Sequence, residues 1–300
     1  MSFLEDRAGL KGKVAFVGGG GGGLGQAVAL DFARAGMNLA LCDRDAESLA
    51  STVEEARSLG VTVIEEVIDV REEPALEKFY ERVDETFDRL DVVVNVAGGT
   101  FRSAFVDVST KGVDVLIRTN YTWVVNSIRL AAKRMKAFGN GGSIMTITSI
   151  EAHRAAPGYA VYASMKAAVT QLSRILAVEL GPDRIRVNTI APDIVPTVGM
   201  GKFLRAGQTE GVRGGDLTDT MADPLDEMQI PLARKGVIED IGNCALFLAS
   251  DMSSYITGSS LHPDGGALAG SGWLKWPGVG WTARPPTVSL GYIDELDPDD

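Results

Sequence analysis

The chain has 300 residues, 45% hydrophobic and 23% charged, which is enough apolar material for one large α/β core or two smaller ones. Acidic residues outnumber basic ones by 40 to 29, and the resulting net charge of -11 repels a phosphate backbone, so nucleic acid is excluded as a partner class. Only Cys42 and Cys244 occur, far apart and without histidines at ligand spacing, so neither a disulfide framework nor a metal site is expected.

At the N-terminus, "MSFLEDRAGLKGK" carries no apolar leader segment, and no later stretch reaches the length of a membrane span. The expectation is a soluble cytoplasmic protein with no membrane partner. The first structured element is the apolar run "KVAFV", of the kind that forms a buried parallel strand. Six consecutive glycines follow it, Gly18 to Gly23, with another at Gly25. Behind them Leu24, Ala27, Val28, Phe32 and Ala35 recur at helical spacing, and Gly36 supplies a stop.

Strand, glycine loop and helix in that order open a dinucleotide-binding βαβ unit, in which missing side chains let the backbone approach a pyrophosphate. The next strand, "NLALCD", ends in Asp43, near the ~20-residue offset expected for the acid that takes the ribose hydroxyls. Two glycine registers fit, Gly20, Gly22 and Gly25 or Gly19, Gly23 and Gly25, and a lone glycine motif does not choose between them.

Strands and helices then alternate. "VTVIEEVIDV", "LDVVVNVAG", "GGSIMTITS" and "IRVNTIAP" read as strands, separated by "PALEKFYERVDETF", one long helix from about Gly112 to Phe138, and "YAVYASMKAAVTQLSRILAVEL". A single doubly wound parallel sheet of Rossmann type follows, within one domain over residues 1–267. The rhythm breaks over residues 193–234, where clustered glycines, prolines and acids read as a substrate lid. "IEDIGNCALFLASD" gives a last helix and "GSSLHPDGG" a last strand. Residues 268–300 form an extension, first tryptophan-rich (Trp273, Trp276, Trp281) and then acidic, the acidic end being a solvated tail.

The chemistry lies in "YAVYASMK". Tyr162 and Lys166 share a helix face, and an ammonium beside a phenol favours the phenolate, so the pair can serve as a general base. Tyr-x-x-x-Lys alone is common, and an amphipathic helix with a surface lysine is the plainer reading. The order and spacing of several motifs go further: "GGGGGGLG", "NVAG", Asn120 in "RTNYT", Ser149 in "ITSI" thirteen residues before Tyr162, "YASMK" and "ITGSSLHPDGGA". From Leu10 to Ala267 the chain resembles the short-chain dehydrogenase/reductase family.

The resemblance fixes the glycine register as Gly19, Gly23 and Gly25, with Gly22 and Leu24 inside the same phosphate loop. It implies that Tyr162 exchanges a proton with the substrate oxygen while hydride passes to or from a nicotinamide. It further implies that Lys166 lowers the Tyr162 pKa and holds the nicotinamide ribose, that Ser149 positions the substrate oxygen, and that Asn120 anchors a water leading to solvent. Around the cofactor it implies Asp43 and Arg44 at the adenosine ribose and Asp69 and Val70 at the adenine. Asn95, Ala97 and Gly98 belong beside that ribose, with Pro192, Val195 and Thr197 at the carboxamide. Asp43 selects NAD over NADP, since a 2'-phosphate would meet a like charge; Arg44 is the counter-argument.

Three departures from the family pattern stand out. Gly18 replaces the usual Thr and Val96 the second Asn of the NNAG motif, which bears on local rigidity. Asp193 replaces a Gly after Pro192, near the nicotinamide, where a carboxylate would favour the oxidised, cationic ring; an exposed loop aspartate or turn cap is the plainer reading. His153 and His262 are the only histidines, and with Asp264 near His262 a hydrolytic triad can be drawn, but no GxSxG elbow supports it. A surface position is expected for His153.

Met200, Phe203, Leu204, Leu217, Met221, Leu225 and Met228 give the lid an apolar composition, pointing to an apolar, cyclic or steroid-like alcohol or ketone. Its acids, Glu210, Asp216, Asp219, Asp223, Asp226 and Glu227, exceed Lys202, Arg205 and Arg213, which disfavours docking of an acidic carrier protein. The resemblance implies a homotetramer, with the tail tryptophans at a subunit interface or a neighbour's pocket. The alternatives are a β-ketoacyl thioester reductase and a dinucleotide-sensing protein without turnover.

Overall fold

The computed structural model describes residues 3–197 and 224–284. Seven strands form one parallel sheet in the order β3-β2-β1-β4-β5-β6-β7. The strands are β1 Val14–Gly18, β2 Asn38–Asp43, β3 Val63–Val67, β4 Val92–Asn95, β5 Gly142–Ile147, β6 Ile185–Ile190 and β7 Ser260–Leu261.

The apolar runs are continuous because both faces of the sheet are covered. In β1, Val14 and Phe16 point into one core while Ala15 and Val17 point into the other. The Val14–Phe16 core also takes residues of α4 Glu73–Thr86, Trp123–Phe138 and α7 Ala160–Glu179, and the Ala15–Val17 core those of α2 Leu24–Arg34, α3 Ala46–Ser58 and Ile238–Ala249. Phe16 stacks on Tyr80 at 4.4 Å between ring centroids.

The order in which strands are added reverses between β1 and β4, so the strand ends there open into the crevice where ligands bind in such sheets. Gly18, Asn95, Ile147 and Ile190 all stand at these carboxyl ends. No helix of the described residues is long and apolar enough to cross a membrane.

Several elements differ from the sequence expectation. The long helix is three pieces: α5 Thr110–Ile117, a π turn Arg118–Thr122, and α6 Trp123–Phe138. The strand expected over "VTVIEEVIDV" stops at Val67, because Ile68 turns its amide to the Asp43 carbonyl and Glu72 N–H closes a turn on Asp69. A short α1 Phe3–Ala8 precedes β1. The irregular region contains a helix, α8 Pro224–Gln229, ahead of α9 Ile238–Ala249.

The extension is not simply a tail. It carries an antiparallel hairpin, β8 Leu274–Trp276 with β9 Gly280–Thr282, which packs on α8. Gly265 and Gly266, both at positive φ, bring the chain against Ile230 and Pro231 before it enters the hairpin. Trp273 and Trp281 remain about half exposed. The lid residues at 198–223 and the acidic end at 285–300 lie outside the described residues, as does the side chain of Leu225.

Candidate active site and dinucleotide cradle

The glycine loop shows which glycines the backbone needs. Gly19 has φ +89° and a Cβ there would sit 2.6 Å from the Ala97 nitrogen; Gly23 has φ +54° and would press on Thr197. A Cβ on Gly25 would lie 1.8 Å from the Gly19 carbonyl oxygen. Gly22 has room, with Ser48 Cβ at 3.8 Å. The geometry therefore demands glycine at 19, 23 and 25. Helix α2 starts at Leu24 with no side chain capping its first turn, which leaves a positive helix end behind a loop stripped of side chains. These features fit a bound pyrophosphate.

Asp43 closes the far side. One carboxylate oxygen accepts the Gly21 N–H at 3.0 Å and the other the Asp45 N–H at 3.1 Å, which fixes the anion at the end of β2. Asp69 accepts from the Arg71 guanidinium at 2.9 Å, and that hydrogen bond holds its pKa below the usual carboxylate value. Val70 is buried beside it. Asn95 lies deeper: its amide donates to Thr146 at 3.2 Å, and its carbonyl accepts from Ser127, whose hydroxyl also meets the Tyr80 hydroxyl. Asn95 thus braces the loop from beneath. Val96 and Ala97 both donate to the Gly18 carbonyl, which ties that loop to β1.

Gly18 has a local reason. A Cβ there would meet the indole of Trp123 at 3.0 Å, and Trp123 is buried with its Nε1 donating to the Thr119 carbonyl at 2.8 Å. The indole occupies the space that a threonine would need. Gly18→Thr should lower stability by about 1–3 kcal/mol through overpacking, read as a fall in Tm; an unchanged Tm would show that Trp123 can move aside.

Four side chains gather at the ends of β4 and β5 and along α7. Asn120, fully buried in the π turn, donates to the carbonyls of Gly99 at 2.8 Å and Leu116 at 3.0 Å and accepts the Gly99 N–H at 3.2 Å. Its amide is engaged with backbone, so a water at this position would have to bind through neighbouring carbonyls. Gly98 matters here: a Cβ would press on both Asn120 and the Lys166 ammonium.

Lys166 is buried, not a surface lysine; its ammonium donates to the Ile147 carbonyl at 2.8 Å and lies 5.7 Å from the Tyr162 ring centroid. Burial pulls its pKa down to about 8. The Tyr162 phenol hydrogen-bonds Ser149, yet burial outweighs that bond and pushes its pKa up to about 12. In this arrangement the hydrogen bond of the Lys166 ammonium goes to the Ile147 carbonyl and not to the phenol. Ser149 also accepts the Glu151 N–H at 3.2 Å, which starts the 3-10 turn Ile150–Ala152.

Pro192 and Val195 are buried on the loop after β6, and Thr197 reaches Gly23, so this loop spans from the Ser149 side to the glycine cradle. Pro192 accepts the Ile150 N–H at 3.0 Å. Asp193 is no exposed loop residue: its side chain is 15% exposed and lies 3.7 Å from Arg154. His153 is only partly exposed. Its ring packs edge-on against His262 at 4.6 Å, and its Nε2 is buried without a hydrogen-bond partner among the described residues. Arg154, which the sequence reading did not single out, links this whole edge.

A parallel sheet ending in a glycine cradle, with a tyrosine, serine and lysine converging on one crevice, defines a dinucleotide-dependent oxidoreductase. A family model described as enoyl-(acyl carrier protein) reductase matches residues 19–267. The chain is 33% identical to a cyclohexanol dehydrogenase of Rhodococcus sp. strain TK6, over 88% of this chain and 98% of that one. It is 32% identical to a 3-oxoacyl-(acyl-carrier-protein) reductase of Thermotoga maritima, over 86% of this chain and 99% of the other. The crystal structure of carveol dehydrogenase from Mycobacterium avium in complex with NAD superposes with a TM-score of 0.81 at 30% identity, covering 87% of this chain and 99% of that one. The chain belongs to the short-chain dehydrogenase/reductase family, whose members act on alcohols and ketones with nicotinamide dinucleotides.

Proposed function

We propose that this protein is an NAD-dependent dehydrogenase that interconverts a secondary alcohol and its ketone, with an apolar cyclic substrate. The observation that carries this reading is the Tyr162–Ser149 hydrogen bond with buried Lys166 behind it. Similarity to proteins named for cyclohexanol and carveol supports the cyclic class.

In this reading Gly19, Gly22, Gly23, Leu24 and Gly25 receive the pyrophosphate at the start of α2. Asp43 and Arg44 take the adenosine ribose, Asp69 and Val70 the adenine, and Ala97 and Gly98 line the loop that Asn95 supports. Pro192, Val195 and Thr197 face the carboxamide. The bound nicotinamide supplies hydride transfer.

The chain's own part is to place the substrate and move a proton. Ser149 holds the substrate oxygen at a fixed distance from Tyr162. With its pKa up at about 12, Tyr162 is protonated at neutral pH and ready to donate to a ketone oxygen. In the oxidation direction the same phenol must lose its proton, and the Lys166 ammonium, present below about pH 8, favours that charge. Asn120 fixes the π turn and the Gly99 backbone beside Lys166, next to the route a proton would take to solvent.

The experiment is a panel of secondary alcohols, from small cyclic compounds to hydroxysteroids, assayed with NAD+ and with NADP+ by absorbance of the reduced cofactor. Turnover with NAD+ on the cyclic members is the expected result. Silence across the panel, with NADH still bound, would reject it in favour of a dinucleotide sensor. Similarity to the Thermotoga maritima reductase favours one second reading, β-ketoacyl thioester reduction. Against an acidic carrier stands the net charge of -11.

NAD preference rests on the fixed Asp43 anion. Asp43→Asn should weaken NAD+ by about tenfold and strengthen NADP+ by a similar factor, measured by calorimetry; an unchanged ratio would move the choice to Arg44. We further propose a cytoplasmic homotetramer. Light scattering on the full chain and on one lacking residues 268–300 tests the tail's part in it; an undiminished tetramer with full activity would reject both the interface and the pocket role.

A further inference from the structure

One cluster beside the site has no part in the proposed reaction. Arg154 follows the 3-10 turn behind Ser149. Its guanidinium donates to Glu151 at 2.9 Å and pairs with Asp193 at 3.7 Å, while Asp264, just beyond β7, adds a third carboxylate to its field. The pair bridges two loops. Glu151 belongs to the turn that starts at Ser149, and Asp193 follows Pro192 on the loop leading to Val195 and Thr197.

We propose that Arg154 is a positioning residue that keeps Asp193 anionic, and that the Asp193 charge sets how strongly the site prefers oxidised over reduced nicotinamide. This rests on the dehydrogenase reading, since it takes the 192–197 loop to run beside the nicotinamide. The oxidised ring carries a positive charge and the reduced ring none, so a nearby carboxylate holds the two forms unequally.

The groups facing Asp193 decide whether it carries that charge. Glu151 on the turn after β5 and Asp264 on the segment after β7 both oppose its ionisation, as does its burial, which is the largest cause and raises its pKa above the usual carboxylate value. Arg154 is the cation set against them. On the same segment as Asp264, His262 packs against His153, whose pKa is lowered by burial first and then by His262. A family-typical glycine at this position would bring no charge, so the device belongs to this chain's own Asp193.

The test is cofactor binding without substrate. Dissociation constants for NAD+ and NADH are measured by fluorescence from about pH 6 to 9 on the parent, Asp193→Asn, Arg154→Met and the double variant. In Asp193→Asn the preference for NAD+ over NADH should fall by about tenfold at every pH. In Arg154→Met it should fall at the acid end and recover as the pH rises and Asp193 ionises. The double variant should be low and flat.

An unchanged ratio in Asp193→Asn, or a pH dependence that survives in the double variant, overturns the proposal. If Arg154→Met does not fold, Arg154→Lys serves in its place: it keeps the charge and should behave as the parent, and a flattened low ratio there overturns the role given to charge. Absence of nucleotide binding in the parent would instead reject the dehydrogenase reading itself.

Discussion

Tyr162→Phe is expected to lower kcat by about a thousandfold while leaving the dissociation constant for NAD+ within about twofold of the parent. The phenol is the titratable group that hydrogen-bonds Ser149, and Phe keeps the ring that packs beneath Lys166. A thousandfold corresponds to ~4 kcal/mol of transition-state stabilisation. Binding should hardly change, because the cofactor contacts proposed for the glycine loop and Asp43 lie at the other end of the crevice. Single-turnover kinetics together with cofactor titration separate the two effects. A variant that keeps a tenth or more of the parent rate would remove Tyr162 from the chemistry.

Gly25→Ala is expected to abolish cofactor binding and to lower stability by ~3 kcal/mol, since the new methyl would sit 1.8 Å from the Gly19 carbonyl. Neither side can yield cheaply. Gly19 itself is pinned at φ +89° against Ala97, and α2 behind Gly25 is buried over most of its length. Gly22→Ala is the control for stability: its Cβ would meet only Ser48 at 3.8 Å, so Tm should stay near the parent value. Thermal melts and NADH titration of both variants decide the register. Gly25 belongs to both registers, so a fall in Tm at Gly22 is the result that would favour Gly20, Gly22 and Gly25.

What could be read from the sequence was local. Continuous apolar runs announce strands buried on both faces, and in β1 Val14 to Val17 serve the two cores alternately. The spacings of Tyr162 to Lys166 and of the glycines are short enough for helix and turn geometry to fix them. Partnerships between distant segments left no such mark. Arg154 meets Asp193 and Asp264 only because β5, β6 and β7 are neighbours in the sheet, and Asn95 finds Ser127 and Tyr80 through two helices packed on one face.

Two misses had a visible signal. The hairpin at Trp276 and Trp281 flanks a Pro277-Gly278 step, a turn signal between two short aromatic runs. Trp123, three residues after Asn120, is a large residue that demands space, and the unusual Gly18 is where that space was made. The π turn had none: apolar periodicity across residues 110–138 does not register one extra residue per turn.

That extra residue has a geometric result. An α-helix advances about 100° per residue, so a residue absorbed by the wider turn at Arg118–Thr122 rotates everything after it by that angle. α5 and α6 are therefore out of helical phase with each other. The offset is what lets a single length of helix present Asn120 to the Gly99 loop and Trp123 to the Gly18 backbone. Holding the same residues in unbroken α-helical geometry would turn Trp123 about 100° off β1, whereas deleting one residue within the turn would mend the hydrogen-bond ladder and keep that facing.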